Sequence, residues 1–374
     1  RIYLSSLLGV TEEVFKKKVS KISHFLDFGE GYKDVVKNDL GDETEYIVYV
    51  LPMDSQELVK IMQSGDTLGI VSKIQRAIGY AKDLGVKTVG LGQFTSILTN
   101  SGLMLDSMGL NLTTGNAYTT YLVLQATIKA SLEMGIELSN SNVSCIGAAG
   151  NIMSVTSSLI SRHCKSLNLF YHSKPEKSKK LTKAIVQIIH DALAAENSSI
   201  FIKNIKKQVS TTPDWETDIF NFLQKDEVKK ILSTSTQISS IKNSEVIIAG
   251  ASTSEAIVLT EHVSPKTLLV DIGVPGNIDK TIPNHVPGTK LILGGIAKLP
   301  VLRNGPDQNI DAHAFPLDSG ACYACLAETL VLTMAQQKNT RNIGDLTADK
   351  VLEIGEMAQR MQFTLGDFKH KVTI

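Results

Sequence analysis

Cys322-Tyr-Ala-Cys325 sets two thiols three residues apart. Such a pair is redox-active or forms half of a zinc site. No second pair with zinc spacing exists, and His163 and Cys164 fall at the far end of another helical stretch, so the expected metal-ligand set is none. A cysteine in the first turns of a helix, just past the Gly320 opening, has its pKa lowered by the helix N-terminus and can act as a nucleophile. Asp318 and Glu328 oppose that shift. The alternative is two small apolar core residues, which is also how Cys145 and Cys164 read. Among eight histidines, His313 precedes the cysteines and is a candidate for acid–base chemistry, or a loop residue with no role. No Gly-x-x-x-x-Gly-Lys-Ser/Thr loop occurs, which disfavours kinase or ATPase chemistry.

A second stretch points to nucleotide binding. Asn142-Val-Ser-Cys-Ile-Gly-Ala-Ala-Gly-Asn-Ile-Met153 is a short apolar strand, two glycines three apart, then a helical pattern. This is how a dinucleotide-binding β-α-β unit begins. Gly147 allows the tight turn, and Gly150 lets the N–H groups of Ala149 to Ile152 approach a pyrophosphate at the positive end of the helix. Met153 stands where the third glycine of the fingerprint would be. An ordinary strand-turn-helix is the alternative. The next strand ends Phe170-Tyr171-His172-Ser173-Lys174 with no acidic residue to bind a ribose 2′-hydroxyl. His172, Ser173 and Lys174 suit a 2′-phosphate, so NADPH is expected over NADH; otherwise 174–180 is a solvated helix start. Ala251 and Gly273, after two later strand runs, complete the expected cofactor-binding set.

The secondary-structure pattern changes character along the chain. Residues 11–24 and 57–84 carry apolar residues at helical spacing. Lys87–Leu91 reads as a strand, and Tyr118–Met134 as a long helix capped by Thr114 or Asn116 and ended by Gly135. From Asn142 strands and helices alternate: 143–146, 150–163, 167–171, 178–195, then strand runs at 245–249, 267–271 and 290–293. Continuous apolar strands of this kind form a parallel sheet covered on both faces. Residues 197–240 read as a polar, partly helical insertion. Beyond Pro300 the chain is loop-like to Asp318, then helical over 321–335 and 348–361. The expected architecture is α/β: an N-terminal α/β substrate domain (1–137), a Rossmann-like NADP-binding domain (138–300), and C-terminal helices (301–374) packing across the cleft and carrying the cysteine.

The 374 residues fit two or three domains. Lys+Arg and Asp+Glu are both 38, so no bulk charge draws the chain to nucleic acid or membrane. The longest apolar run, Tyr46–Met53, is strand-sized, far short of a membrane span. No signal peptide is legible and cysteines are few, so a reducing, cytoplasmic location is expected. The start at Arg1 suggests a chain trimmed from a longer polypeptide.

Taken together, Leu91-Gly-Gln-Phe-Thr-Ser-Ile97, Thr113-Thr-Gly-Asn-Ala-Tyr-Thr-Thr-Tyr121, Val143–Ile152, Leu268-Leu-Val-Asp-Ile-Gly273, Leu293-Gly-Gly-Ile296 and Ala324-Cys-Leu-Ala-Glu328 resemble the cyanobacterial long-chain acyl-[acyl carrier protein] reductases. The resemblance implies NADPH-dependent reduction of a fatty acyl thioester to the aldehyde, with acyl carrier protein or CoA as the donor. It places the nucleophile on Cys325, not Cys322. Thr114, Asn116, Gly294 and Gly295 are candidates for binding the substrate and its oxyanion. Lys203, Lys206 and Lys207 are candidates for docking an acidic carrier protein. Alternatives are a two-domain NADP-dependent dehydrogenase of a small polar acid, and a nucleotide-binding domain without turnover.

Overall fold

The computed structural model describes residues 27–368, apart from 54, 197, 254, 274–275, 303–316, 318–319 and 339. The helical pattern at 11–24, Asp318 and His313 lie outside the described residues. The chain divides into two compact units: residues 1–118, 296–345 and 354–374 form the first, and residues 119–295 and 346–353 the second.

Among the described residues, the first unit opens with an antiparallel hairpin, β1 (Gly29–Lys37) and β2 (Glu43–Val50). Its turn closes because the Asn38 side-chain carbonyl accepts from the N–H groups of Leu40 and Asp42, at 3.1 and 2.9 Å. Residues 57–84 form two helices, α1 (Ser55–Ser64) and α2 (Leu68–Asp83), because Gly65 takes φ +75° and ends the first. On α2, Ile70, Val71, Ile74, Ile78 and Ala81 make one buried stripe, the spacing expected of a helix face. Then come β3 (Thr88–Gly90), the short α3 (Phe94–Leu98) and β4 (Asn111–Thr113). Leu58, Ile74, Ile78, Leu91, Phe94, Leu98 and Leu112 share one core.

The second unit takes most of α4 (Asn116–Glu133), then β5 (Asn142–Ile146), α5 (Asn151–Ser161), β6 (Ser166–Phe170) and α6 (Lys179–Ala194). It continues through α7 (Ile200–Ser210), α8 (Ile219–Gln224), α9 (Asp226–Lys229) and β7 (Leu232–Ser235). It closes with β8 (Val246–Ala249), β9 (Leu268–Asp271), α10 (Ile282–His285) and β10 (Lys290–Leu293). The six strands make one parallel sheet in the order β10-β9-β8-β5-β6-β7. That is the doubly wound Rossmann order, with the direction of winding reversing beside β5. Residues 246–249 and 268–270 are fully buried, as the unbroken apolar runs require of central strands. Each such Ile, Leu or Val contributes about 1.5–3 kcal/mol by leaving water.

Residues 197–240 correct an expectation. They are no insertion: β7 is the sheet's edge strand, paired with β6 from Leu167↔Leu232 to Phe170↔Ser235. The helices before it bury Phe201, Ile202, Ile205 and Phe222. Half-buried Ser and Thr on an edge strand hid this element from a hydropathy reading.

The chain then returns to the first unit with β11 (Ile296–Lys298), β12 (Val301–Leu302), β13 (Ala321–Tyr323), α11 (Ala324–Met334) and β14 (Arg341–Asn342); α12 (Ala348–Arg360) has residues 348–353 in the second unit and the rest in the first, and β15 (Thr364–Leu365) follows. β12 joins β1 and β2; β11 lies between β13 and β15; β4 lies between β3 and β14. The helix expected over 321–335 thus starts as a strand, with Cys322 on β13 and Cys325 on α11. Among the described residues, no helix is long and apolar enough to cross a membrane.

Candidate active site

Cys325 is the second residue of α11, where N–H groups lack helical partners. Cys322 opposes Ala297 across the β13–β11 ladder and is fully buried, whereas Cys325 is half-buried. Secondary structure therefore separates two thiols that share a motif: one is packed in a sheet, the other sits at a helix start.

Three stretches far apart in the chain meet at Cys325. In the first, the turn from β3 to α3 runs through the exposed Gly92 and Gln93. A Cβ on Gly92 would lie 3.9 Å from the Cys325 Sγ. Gln93 takes φ +52°, ψ −126°, a costly conformation for a residue with a side chain. Its N–H donates to the Cys325 sulfur, as does that of Leu326. In the second, Gly115 takes φ +71°, and a Cβ there would overlap Cα and Cβ of Cys325. Only glycine meets both demands, so Thr114-Gly115-Asn116 packs directly on the cysteine. Thr114 and Asn116 are buried; the Thr114 N–H donates to the Asn342 carbonyl at 3.1 Å, and its hydroxyl accepts from the Asn116 N–H at 3.4 Å.

The third stretch is α11 itself. Glu328, one turn beyond Cys325, is fully buried. It accepts from the Thr113 hydroxyl, the Asn342 side-chain amide and the Tyr118 N–H, the last at 2.8 Å. These three donors come from β4, β14 and the first turn of α4. They satisfy a carboxylate that would otherwise be costly to bury, and they pin α11 in register. Burial pushes the Cys325 thiol up from its ordinary value. The N–H groups of Gln93 and Leu326 pull it down, and the nearby Glu328 pushes it up again. Burial prevails, so the thiolate is a minority form near neutrality.

In the second unit, Gly147 follows β5 at φ +81°, and a Cβ there would lie 2.8 Å from the Gly250 carbonyl oxygen. Gly150 is the N-cap of α5, and no side chain caps that helix. Its first N–H groups, from Asn151 and Ile152, open at the C-terminal end of the strands beside the switch in sheet winding, where this fold binds ligands. The Asn151 side chain is engaged, accepting from the Leu346 N–H at 2.9 Å. Met153, in the third fingerprint position, is fully buried. The room it needs comes from Gly250 after β8, where a Cβ would lie 2.7 Å from the Met153 Cγ. The glycine has in effect moved from the helix to the neighbouring strand.

After β6, His172 Nδ1 and the Ser173 hydroxyl are 2.7 Å apart, and His172 and Lys174 are exposed. Ala251 and Gly273 follow β8 and β9. The buried Asn277 side chain accepts from the Ala251 N–H at 2.7 Å and donates to its carbonyl at 3.0 Å. Asp271 accepts from the N–H groups of Gly273 and Ile278, both at 2.9 Å. Burial pushes the Asp271 carboxyl up to about 6, against these hydrogen bonds. Gly294 and Gly295 have packing roles: a Cβ on Gly294 would meet Ile272 at 2.6 Å, and one on Gly295 would meet Thr119 at 3.1 Å. The Gly294 N–H is committed to the Asp271 carbonyl at 2.7 Å. Of the three candidate docking lysines, Lys206 is tied to the Ala195 carbonyl at 2.5 Å, while Lys203 and Lys207 are exposed.

Sequence reasoning missed Gln93, Thr113, Asn342, Asp271 and Asn277 as site-shaping residues. Gln93 lay within a quoted motif, but its role comes from backbone conformation. Nothing local in the sequence marks Asn342.

No family model matches the chain. Over 327 residues it is 21% identical to the aminotransferase PigE of a Serratia species, covering 86% of this chain and 32% of that protein. The chain thus spans about a third of the length of that curated relative. Among solved structures, glutamyl-tRNA reductase from Methanopyrus kandleri is 12% identical with a TM-score of 0.28, covering 93% of this chain and 73% of the other. The 3-hydroxybutyryl-CoA dehydrogenase of Escherichia coli K12 is 16% identical with a TM-score of 0.24, covering 41% and 29%.

Proposed function

We propose that the chain is an NADPH-dependent acyl-thioester reductase that forms an aldehyde by way of acyl-Cys325. The observation that carries this reading is the convergence on one helix-start thiol of Gly92-Gln93, Gly115 and the buried Glu328 network. That arrangement holds a nucleophile; a packed core cysteine needs none of it. The Cys325 sulfur attacks the thioester carbonyl carbon, a new C–S bond forms, and the donor thiol leaves with a proton. Bound NADPH would supply a hydride. The resulting hemithioacetal on Cys325 loses its C–S bond, releasing the aldehyde and returning the thiol.

The residues of the second unit fit such a cofactor. The Gly147 turn and Gly150, whose own N–H is held by the Gly147 carbonyl at 2.8 Å, leave room for a diphosphate at the start of α5, beside Asn151 and Ile152. Ala149 lies in the same turn. His172, Ser173 and Lys174 offer donors and positive charge to a 2′-phosphate, with no carboxylate ending β6 to repel it. Ala251 and Gly273 are held by Asn277 and Asp271 where the nicotinamide half would lie. The acyl donor is acyl carrier protein or CoA, and the proposed setting is cytoplasmic.

The test is intact mass after incubation with a long-chain acyl-CoA and no NADPH. A single acyl adduct, absent in Cys325→Ala and discharged to aldehyde on adding NADPH, is expected. An adduct on Cys322, or turnover in Cys325→Ala, overturns the assignment. Full turnover without any adduct would favour the dehydrogenase of a small acid, which needs no cysteine.

A further inference from the structure

The Gln93 side chain points to no role in the cluster, since the residue is exposed, yet its backbone holds the least comfortable conformation at the site. At φ +52° and ψ −126° the peptide between Gly92 and Gln93 turns its N–H inward to the Cys325 sulfur, while the side chain is left outside. A relaxed β or α conformation at this residue would aim that N–H elsewhere. The turn is then locked from the α3 side. The Thr95 hydroxyl and N–H both donate to the Gly92 carbonyl, at 2.6 and 3.1 Å, and the Ser96 hydroxyl donates to the Gln93 carbonyl at 3.2 Å. Phe94 anchors the same turn in the core of the unit. Strain that persists because its surroundings over-determine it, beside a reactive atom, marks pre-organisation.

We propose that the backbone N–H of Gln93 is a catalytic donor: it stabilises the Cys325 thiolate whenever the thiol gives up its proton for attack, and passes to the substrate oxyanion once the new C–S bond forms. The inference rests on the acyl-reductase reading for its second half only. A thiolate is a strong acceptor and a thioester sulfur a weak one, so bond formation frees the N–H. The carbonyl oxygen, on the carbon now bonded to that sulfur, then gains negative charge within reach of the same donor. The Leu326 N–H, at the start of α11, is its partner from the other side. Because the donor is a main-chain group, residue 93 can vary in type as long as it tolerates the positive φ.

Three variants and a substrate-free readout test this. The pH profile of Cys325 alkylation by iodoacetamide, followed by mass spectrometry, reports the thiolate without acyl donor or cofactor. Gln93→Pro removes the N–H and forbids the positive φ. It should move the profile upward by about one to two pH units, the size of one charge-assisted hydrogen bond. Gln93→Val keeps the N–H but disfavours its orientation, and should move the profile in the same direction by less. Gln93→Gly keeps both the N–H and the conformation, and should move it by under a third of the proline shift. If Gln93→Pro does not fold, the ordering of Val against Gly decides alone. Equal profiles for Val and Gly, or an unshifted profile in folded Gln93→Pro, overturn the proposal. The same variants are then assayed for acyl-Cys325 formation from acyl-CoA. A shifted alkylation profile with no acylation in wild type would sink the reductase reading and leave the thiolate donor standing. Acylation that is unimpaired in Gln93→Val despite a shifted profile would sink the oxyanion role.

Discussion

The chain makes two strand-turn-helix turns that present N–H groups, and they solve that problem in opposite ways. After β5, the turn at Gly147 and Gly150 spends glycines, and the N–H groups of an eleven-residue helix face outward with no side-chain cap. After β3, the positive φ falls on Gln93, the helix has only five residues, and the N–H faces a sulfur of the protein itself. On the proposed reading the first turn admits a large external anion, and glycines at 147 and 150 with alanines between them keep bulk away. The second needs one donor fixed on one atom, so neighbouring hydrogen bonds hold a side-chain-bearing residue in a strained state. Dinucleotide-type turns are legible in sequence because glycine is obligatory there. Strained donor turns are not, because almost any residue can occupy them.

The largest expected contrast is at the thiols. Cys325→Ala should lower turnover by more than about a thousandfold with the fold intact. Cys322→Ala should instead cost about 1 kcal/mol of stability and leave turnover within a few-fold, because Cys322 is packed in a ladder. Steady-state kinetics and denaturant melts separate the two. Loss of activity in both variants would mean that the pair works as a redox couple.

Next is Asp271, whose carboxyl accepts from the N–H groups of Gly273 and Ile278. Its carboxyl stands raised from 3.8 to about 6. A raised folded-state pKa means that the native protein binds this proton more tightly than the unfolded chain. The contribution is therefore fully present below pH 3.8 and is lost as pH rises through about 6. At 1.36 kcal/mol per unit, wild type should lose about 3 kcal/mol relative to Asp271→Asn across that window. Urea melts of both proteins at pH 4, 5, 6 and 7 read this out, and parallel curves would refute it.

The glycines give a sharper comparison at smaller scale. Gly250→Ala should cost about 1–3 kcal/mol, because its Cβ meets Met153 and Ile272 at 2.7 and 2.6 Å. Adding Met153→Ala should recover part of that loss, as expected for directly coupled residues. Gly92→Ala, whose Cβ would be in ordinary contact at 3.9 Å, should cost under about 0.5 kcal/mol. A double-mutant cycle showing Gly250 and Met153 to be independent would break the account of the displaced glycine.

The smallest effect concerns the proposed 2′-phosphate contact. Lys174→Glu should lower kcat/KM for NADPH about tenfold while sparing NADH, since one charge-assisted contact is lost and a repulsion added. Equal losses with both cofactors would return Lys174 to a general electrostatic role.

The sequence alone determined the alternation of apolar strands and amphipathic helices from Asn142 onward, and with it the parallel α/β sheet. Burial of a strand on both faces leaves an unbroken apolar run that composition records directly. It also determined Gly147, Gly150 and Gly135, where a positive φ or a helix end selects residue type. Only the tertiary structure decided the rest. The edge strand β7 is half-polar, so its pairing with β6 is not encoded in its hydropathy. Which thiol of Cys322 and Cys325 sits on a strand and which on a helix depended on the pairing of Cys322 with Ala297 of β11, which the motif's own spacing does not signal. Glu328 acquired its meaning from Thr113, Tyr118 and Asn342, donors supplied by other elements. The Gln93 N–H acquired its meaning from a dihedral angle. Periodicity and residue type are local and survive in the sequence; convergence and backbone strain exist only once distant segments have been folded against each other.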